Sequence, residues 1–337
     1  MSSITNPVLV NALRGDVIEN CHRGAIAVCD PRGQLIRAWG DTDKLVYPRS
    51  SIKALQALPL VESGAAKAFA LNDAELALAC SSHNAEPTHT ECIGRWLERI
   101  DLDQHALECG VQAPMHEGTA KSLLSRSLEP DRIHNNCSGK HTGMLTMTRF
   151  LEEPLAGYIE RDHPAQQHWF DALGEMADVS MRDLPWNRDG CGIPVIAMPL
   201  RSIATAFARF AIPDDLPSKR SDAVEQIRTA IAANPFMVAG TGRLCTEVMQ
   251  LTGQRLLIKS GADGVYTAAL PELGLGLALK IDDGNAEAAM VSLLACLREL
   301  RALRTDELEA LAARCRIPIS NTRGTITGYR QTAIECD

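Results

Sequence analysis

Strand patterning lies at both ends of this chain and helical patterning fills its middle. Ala25-Ile26-Ala27-Val28-Cys29 and Gln34-Leu35-Ile36-Arg37-Ala38-Trp39 flank a turn at Asp30-Pro31-Arg32-Gly33 and read as a hairpin. Val46-Tyr47-Pro48-Arg49 then leads into a helix with Leu55, Leu58 and Val61 on one face, closed by Ser63-Gly64. From about 72 to 250 the pattern is mostly helical. Asn72-Asp73 caps a helix through Ala79, Glu86-Pro87 opens another to about Ile100, and helices follow near 141–152, 163–176, 195–211 and 220–233. After 253 the strands return as Arg255 to Lys259, Gly264 to Leu270 and Leu275 to Ile281. A helix over Ala286 to Arg301 and an amphipathic one over Thr305 to Cys315 come next. Apolar faces made at both termini bury most economically against each other. The expected architecture is therefore one catalytic unit over 1–337. Its α/β (α+β) lobe is built from 1–48 plus 253–337 around an antiparallel sheet, with a mainly helical lobe, 49–252, inserted. At 337 residues and 45% hydrophobic, the chain can fill both cores.

The net charge of -8 comes with no basic stripe, which argues against a nucleic-acid surface. No apolar run approaches the roughly 20 residues that span a bilayer. Met1 to Pro7 lacks a basic stretch followed by an apolar one, so no secretory signal is expected. The 11 cysteines are odd in number and lack framework spacing. They fit a reducing cytoplasm better than a disulfide scaffold, and most should be small buried hydrophobes.

Three short motifs carry the chemistry. Ser50-Ser51-Ile52-Lys53 falls where a proline-containing approach meets a helix. There unpaired backbone N–H groups favour developing negative charge, and the three-residue spacing puts Ser50 and Lys53 on one helical face. Ser51 is the competing nucleophile; Ser50 is preferred for its spacing to Lys53. Ser82-His83-Asn84 lies in a loop between two helices, where Ser82 suits either a helix cap or a proton relay. Lys259-Ser260-Gly261 ends a strand, whose backbone can receive an extended substrate. The N–H of Ala262, with that of Ser50, could form an oxyanion hole. In order and kind of element the set is similar to the S-x-x-K, S-x-N and K-S/T-G motifs of penicillin-binding proteins and serine β-lactamases. Ser82 follows Ser50 by about 30 residues, roughly half the β-lactamase gap, which implies a rearranged helical lobe.

A second cluster accompanies the first. Asn135-Asn136-Cys137-Ser138-Gly139-Lys140-His141 and Asp189-Gly190-Cys191-Gly192-Ile193-Pro194 bring together side chains that could hold a metal, and thiolates suit zinc. Cys137, Lys140 and Cys191 are one ligand set, with His141 and His134 as alternatives; two buried cysteines beside a capping lysine is the simpler reading. Asp189 could instead hold a substrate ammonium group. Asn234 to Arg243 reads as a loop closing on a helix, with glycines that could cradle an anion. It is not a P-loop, and a structural or substrate-lobe role fits it better.

Tyr47-Pro48-Arg49-Ser50-Ser51-Ile52-Lys53, Cys80-Ser81-Ser82-His83-Asn84, Asn136 to His141, Asp189-Gly190-Cys191-Gly192 and Lys259 to Gly264 together resemble the rhizobial-type (class 3) L-asparaginases, over about 8 to 330. The resemblance implies a serine β-lactamase/DD-peptidase-like fold, a homodimer, and hydrolysis of L-asparagine to L-aspartate and ammonia through a serine acyl-enzyme. It implies Ser-Lys tandems of Ser50 with Lys53 and of Ser82 with Lys259, and zinc on Cys137, Lys140 and Cys191. Candidate substrate contacts are Arg49, Asn84, His141 and Asp189, with Ser260, Gly261 and Ala262 on the strand. Other expectations are a serine glutaminase or related amidohydrolase, a β-lactamase-like hydrolase, or a non-enzymatic zinc protein that binds an amino acid.

Overall fold

The computed structural model describes residues 5–334. The chain divides into two compact units, one of residues 1–51, 197–212 and 255–337, the other of 52–196 and 213–254. The first is built on an antiparallel sheet. Its strands are Val8–Arg14 (β1), Val17–Cys29 (β2), Leu35–Trp39 (β3), Leu257–Gly261 (β4), Val265–Leu270 (β5), Leu275–Ile281 (β6), Arg316–Ser320 (β7) and Ile326–Thr332 (β8). Their order is β7-β8-β1-β2-β6-β5-β4, with β3 also on β2. The long β2 serves three neighbours. Its first half pairs with β1, and its second half pairs with β6 on Ala27↔Ala278 and with β3 on Ala27↔Ala38. The expected hairpin is therefore present, and Asp30 closes its turn by accepting from the N–H of Arg32 and of Gln34.

The helix near 195–211 was expected in the middle lobe. It forms over Leu200–Ala211 and packs on β6, β2 and β5 of the first unit. Two features hold it there. Met198 pairs with Val46, and the Arg201 N–H bonds the Thr42 carbonyl. Gly276 in β6 lets the helix lie against the sheet, since a Cβ there would stand 2.1 Å from both the Ala204 carbonyl and the Ala208 nitrogen. β1, β7 and β8 have no counterpart in the sequence reading. β7 and β8 bury no large side chain, so neither shows the apolar run of a core strand, and Pro318 is tolerated because β7 is an edge strand. The expected helix over 305–315 breaks into Thr305–Ala310 and Ala312–Cys315.

The second unit is mainly helical. Asp73–Ala79 starts on a reciprocal cap between Asn72 and Glu75. Ser138–Phe150 packs on it through Gly139, where a Cβ would come 2.4 Å from the Leu78 carbonyl. Leu76, Leu78, Ile93, Trp96 and Trp169 fill the core. The close approach matters for function, because Ser82 leaves one helix two residues beyond Cys80 and Cys137 caps the start of the other.

Candidate active site

The Ser50 turn belongs to the first unit. Arg49–Ile52 forms one turn of 3-10 helix. Ser51 has no exposed surface; its Oγ donates to the Pro48 carbonyl at 2.7 Å, and Thr267 Oγ1 donates to the Ser51 carbonyl at 2.9 Å. Ser51 is thus a brace of the turn, while Ser50 is half-buried and its hydroxyl is not spent on that brace. The end of β4 presses on the same turn. A Cβ at Gly261 would lie 2.6 Å from the Pro48 carbonyl, so Lys259-Ser260-Gly261 can approach only as glycine. Lys259 is buried and donates to the Ser260 carbonyl at 2.9 Å. β4 ends the sheet, and Ala262 just beyond it is exposed. Arg49 sits at φ +53° and forms an ion pair with Asp263, so this candidate carboxylate binder already has a carboxylate partner.

In the second unit the decisive side chain is Lys53, 1% exposed. Its Nζ lies 3.0 Å from Ser82 Oγ and 3.1 Å from Cys137 Sγ, and donates to the Ser81 carbonyl. The lysine of the first motif therefore touches the serine of the second. His83 fixes the loop between them and the thiol. Its Nδ1 accepts from the Ala85 N–H at 3.0 Å, and its Nε2 donates to Ser138 Oγ at 2.9 Å, whose own proton goes to the Ile133 carbonyl at 2.7 Å. Burial, then the nearby His89, pushes the His83 imidazole well below its usual range, so it is a neutral strut rather than a base.

The L-asparaginase II family model matches residues 10–332. The chain belongs to the L-asparaginase II family. Membership of that family supports an amidohydrolase. No curated protein matches the chain. Among solved structures, Mglu in its native form aligns at 16% identity over 85% of this chain and 67% of its own, with a TM-score of 0.43. A putative beta-lactamase from Bacteroides dorei DSM 17855 aligns at 13% identity over 77% and 84%, TM-score 0.41. D-alanine carboxypeptidase AmpC from Burkholderia cenocepacia aligns at 13% identity over 81% and 93%, TM-score 0.38. The chain spans about two thirds of the Mglu chains, at 67%, 63% and 62% of their length. Among the described residues no helix is long and apolar enough to cross a membrane.

This asparaginase-family chain also brings its thiols and second lysine together. Lys140 Nζ lies 3.1 Å from Cys191 Sγ, and Cys137 is hydrogen-bonded to Cys191. That bond, reinforced by burial, pushes the Cys137 thiol up to about 12. The same bond holds Cys191 well below the usual thiol range, against burial and with help from the Lys140 charge. Burial alone would lower Lys140, but the charges of Cys191 and Cys137 raise it. Two sulfurs and an amine, all buried, with Cys191 bonded to each of the other two, are a donor set that suits zinc with one position left for another ligand. Among the described residues no group of three or more His, Cys, Asp and Glu side chains could hold a metal. His141 is not spare for it. Tyr158 Oη accepts from the Glu108 N–H at 2.9 Å and therefore donates to His141 Nδ1 at 2.6 Å. The imidazole proton is left on Nε2, buried and without a partner among the described residues. His134 is held by Asp131 at 2.6 Å.

Sequence reasoning missed three participants. Tyr158 sets the His141 tautomer from 17 residues away. Glu86 accepts from the Thr241 N–H and Oγ1, each at 2.8 Å. The anion that the 240–243 loop cradles is thus the protein's own. Arg243 donates to Asn84 Oδ1 at 2.9 Å. The only sequence signal for either contact was the glycine-rich spacing of that loop.

Proposed function

We propose that the protein is an L-asparaginase that works through an acyl-enzyme on Ser50. Ser50 Oγ attacks the side-chain amide carbon of L-asparagine while Lys53 takes its proton. Backbone N–H groups, including that of Ala262, carry the oxyanion. The C–N bond then breaks, and Ser82, aided by Lys259, gives its proton to the departing ammonia while taking in its place the proton that Lys53 removed from Ser50, which leaves Lys53 neutral again. Water attacks the ester, L-aspartate leaves, and Ser50 recovers its proton. The observation that carries this reading is the buried Lys53, within 3.0 Å of Ser82 Oγ and surrounded by neutral oxygens and a thiol. A lysine placed so adds nothing obvious to stability, and a buried Ser-Lys contact is one of the arrangements that supports amide acyl transfer.

Cys137, Lys140 and Cys191 would hold zinc, which when bound supplies positive charge for the polar end of the substrate. His141 offers its Nε2 proton to that end, and Asp189 is a partner for the ammonium. The resemblance that carries this reading also carries a homodimer. The test is ammonia release from L-asparagine and L-glutamine by wild type and Ser50→Ala, with metal content measured on protein purified without added zinc. Loss of at least a thousandfold in Ser50→Ala, a preference for asparagine and about one zinc per chain are expected. Near-normal turnover in Ser50→Ala would sink the mechanism, and a glutamine preference would move the substrate.

A further inference from the structure

Asn84 looks in the sequence like a substrate contact, but its amide is already committed. Its Nδ2 donates to the Thr241 carbonyl at 3.0 Å and faces Glu86 Oε1 at 3.4 Å, and its Oδ1 accepts from Arg243 at 2.9 Å. An asparagine amide has two donor hydrogens and one acceptor oxygen, so little capacity is left for a ligand. What Asn84 does is aim Arg243. The loop behind that arginine is fixed at several points. The Ser82 N–H bonds the Val238 carbonyl at 2.9 Å, and Glu86 clamps Thr241. Gly240, at φ +107°, lies so close that a Cβ would stand 2.4 Å from Glu86 Oε1 and 2.9 Å from Asn84 Nδ2.

Arg243 itself is half-buried, and its partners are neutral, the Asn84 oxygen and the Met115 sulfur at 3.7 Å. Among the described residues it pairs with no carboxylate, unlike Arg49, Arg99, Arg188 and Arg220. A guanidinium presents a planar fork suited to a carboxylate, and one held rigidly by neutral groups keeps that capacity for a ligand. Its anchor, Asn84, is two residues from Ser82, within about 7 Å of extended chain. We infer that Arg243 is the specificity-determining residue that receives the α-carboxylate of the substrate. It would let the enzyme take free amino acids and reject amides that lack that group. This rests on the amidase reading above and gives Arg49, already paired with Asp263, no part in carboxylate recognition.

The test uses the full chain and two amides, L-asparagine and 3-aminopropanamide, which keeps the amide and the ammonium but lacks the α-carboxylate. Arg243→Met should raise KM for asparagine about 10- to 100-fold, the worth of a charge-assisted contact. It should leave kcat nearly unchanged and turnover of 3-aminopropanamide unaltered, so that discrimination between the two collapses. Arg243→Lys should recover part of the loss, which separates recognition from misfolding. An unchanged KM in Arg243→Met, or equal losses on both amides with no rescue by lysine, would overturn the assignment. If wild type hydrolyses neither amide, the function reading fails first. Calorimetric affinity of wild type and Arg243→Met for the same two compounds then decides the Arg243 assignment separately. A carboxylate-dependent affinity lost in the variant upholds it, and equal affinities refute it.

Discussion

Lys53→Met separates a lysine kept for chemistry from one kept for structure. The side chain is 1% exposed, and its nitrogen meets the Ser81 carbonyl, Ser82 Oγ and Cys137 Sγ, with no carboxylate among the described residues. Methionine fills nearly the same volume without the charge. Against the change stands the Ser81 carbonyl, buried and deprived of a donor, at about 1–3 kcal/mol. In its favour stands release from burying a lysine nitrogen whose partners are neutral, which costs up to several kcal/mol when it carries its proton. The two are of similar size, so net stability should move by no more than about 2 kcal/mol in either direction. For a chain of this length that is a Tm change of less than about 6 °C. Activity should behave quite differently. Loss of a positioned general base costs about 10²- to 10⁴-fold, and here the same lysine also touches the second serine. Lys53→Arg should be equally inactive, since a guanidinium keeps the charge but does not accept a proton at neutral pH. The assays are ammonia release at saturating asparagine and a thermal melt of each variant. If Lys53→Met keeps more than a tenth of wild-type kcat, or Lys53→Arg restores turnover, the lysine is not the base. A Tm fall of 15 °C or more would mean that its hydrogen bonds were retained for structure.

Gly276→Ala should unfold the first unit at markedly lower denaturant, by at least about 3 kcal/mol, because the new methyl meets the backbone of the helix Leu200–Ala211 at 2.1 Å. Gly94→Ala in the helix Pro87–Arg99 has nothing within 4 Å of the added Cβ and should stabilise by about 0.5–1 kcal/mol; urea melts of the two variants check both signs. Burial pushes the Glu86 carboxyl up, but the hydrogen bonds from Thr241 outweigh it and hold the group below its usual range. A depressed carboxylate stabilises the fold above its unfolded value and loses that contribution as pH falls through the folded one. Glu86→Gln should therefore be less stable than wild type at neutral pH, and the gap should close below about pH 4; a gap that is constant from pH 7 to 3 would contradict the clamp.

The parts of the fold legible in the sequence are those whose local pattern and tertiary role agree. β5 and β6 are continuous apolar runs with a Pro-Glu-Leu-Gly turn between them, and they form where expected because both are buried. Asn72 and Glu75 announce their helix through a reciprocal cap that is complete within four residues. The helix Leu200–Ala211 was legible as a helix but not as part of the sheet unit. Its assignment depends on Ala204 and Ala208 meeting Gly276, more than 65 residues away, and small residues carry no periodic signal of a partner. The site divides in the same way. Ser50, Lys53, Ser82 and Lys259 stand out through short spacings. Arg243 and Tyr158 act through single hydrogen bonds to distant residues, and nothing local distinguishes them from an ordinary loop arginine or core tyrosine. Asn84 was legible as a substrate contact, while its hydrogen bonds to Arg243, Thr241 and Glu86 were not.

The buried cluster around Lys140 makes physical sense through its charge balance. An isolated ammonium in such a place would cost several kcal/mol, and the usual remedy is a carboxylate. Here the group that favours negative charge is sulfur, since the Cys137 hydrogen bond and then the Lys140 charge hold the Cys191 thiol well below its usual range. Without a metal, one thiolate and one ammonium cancel. With two thiolates, a neutral amine and a dication, the charges cancel again. Were the proposed divalent ion bound, it would replace the protons of Cys137 and Lys140 without changing the net charge of a site that water barely reaches. A carboxylate in place of Lys140 would leave excess negative charge buried whenever the metal was absent. Lysine would keep both forms neutral, which is a physical reason for a lysine to stand beside two cysteines if the proposed ion binds there.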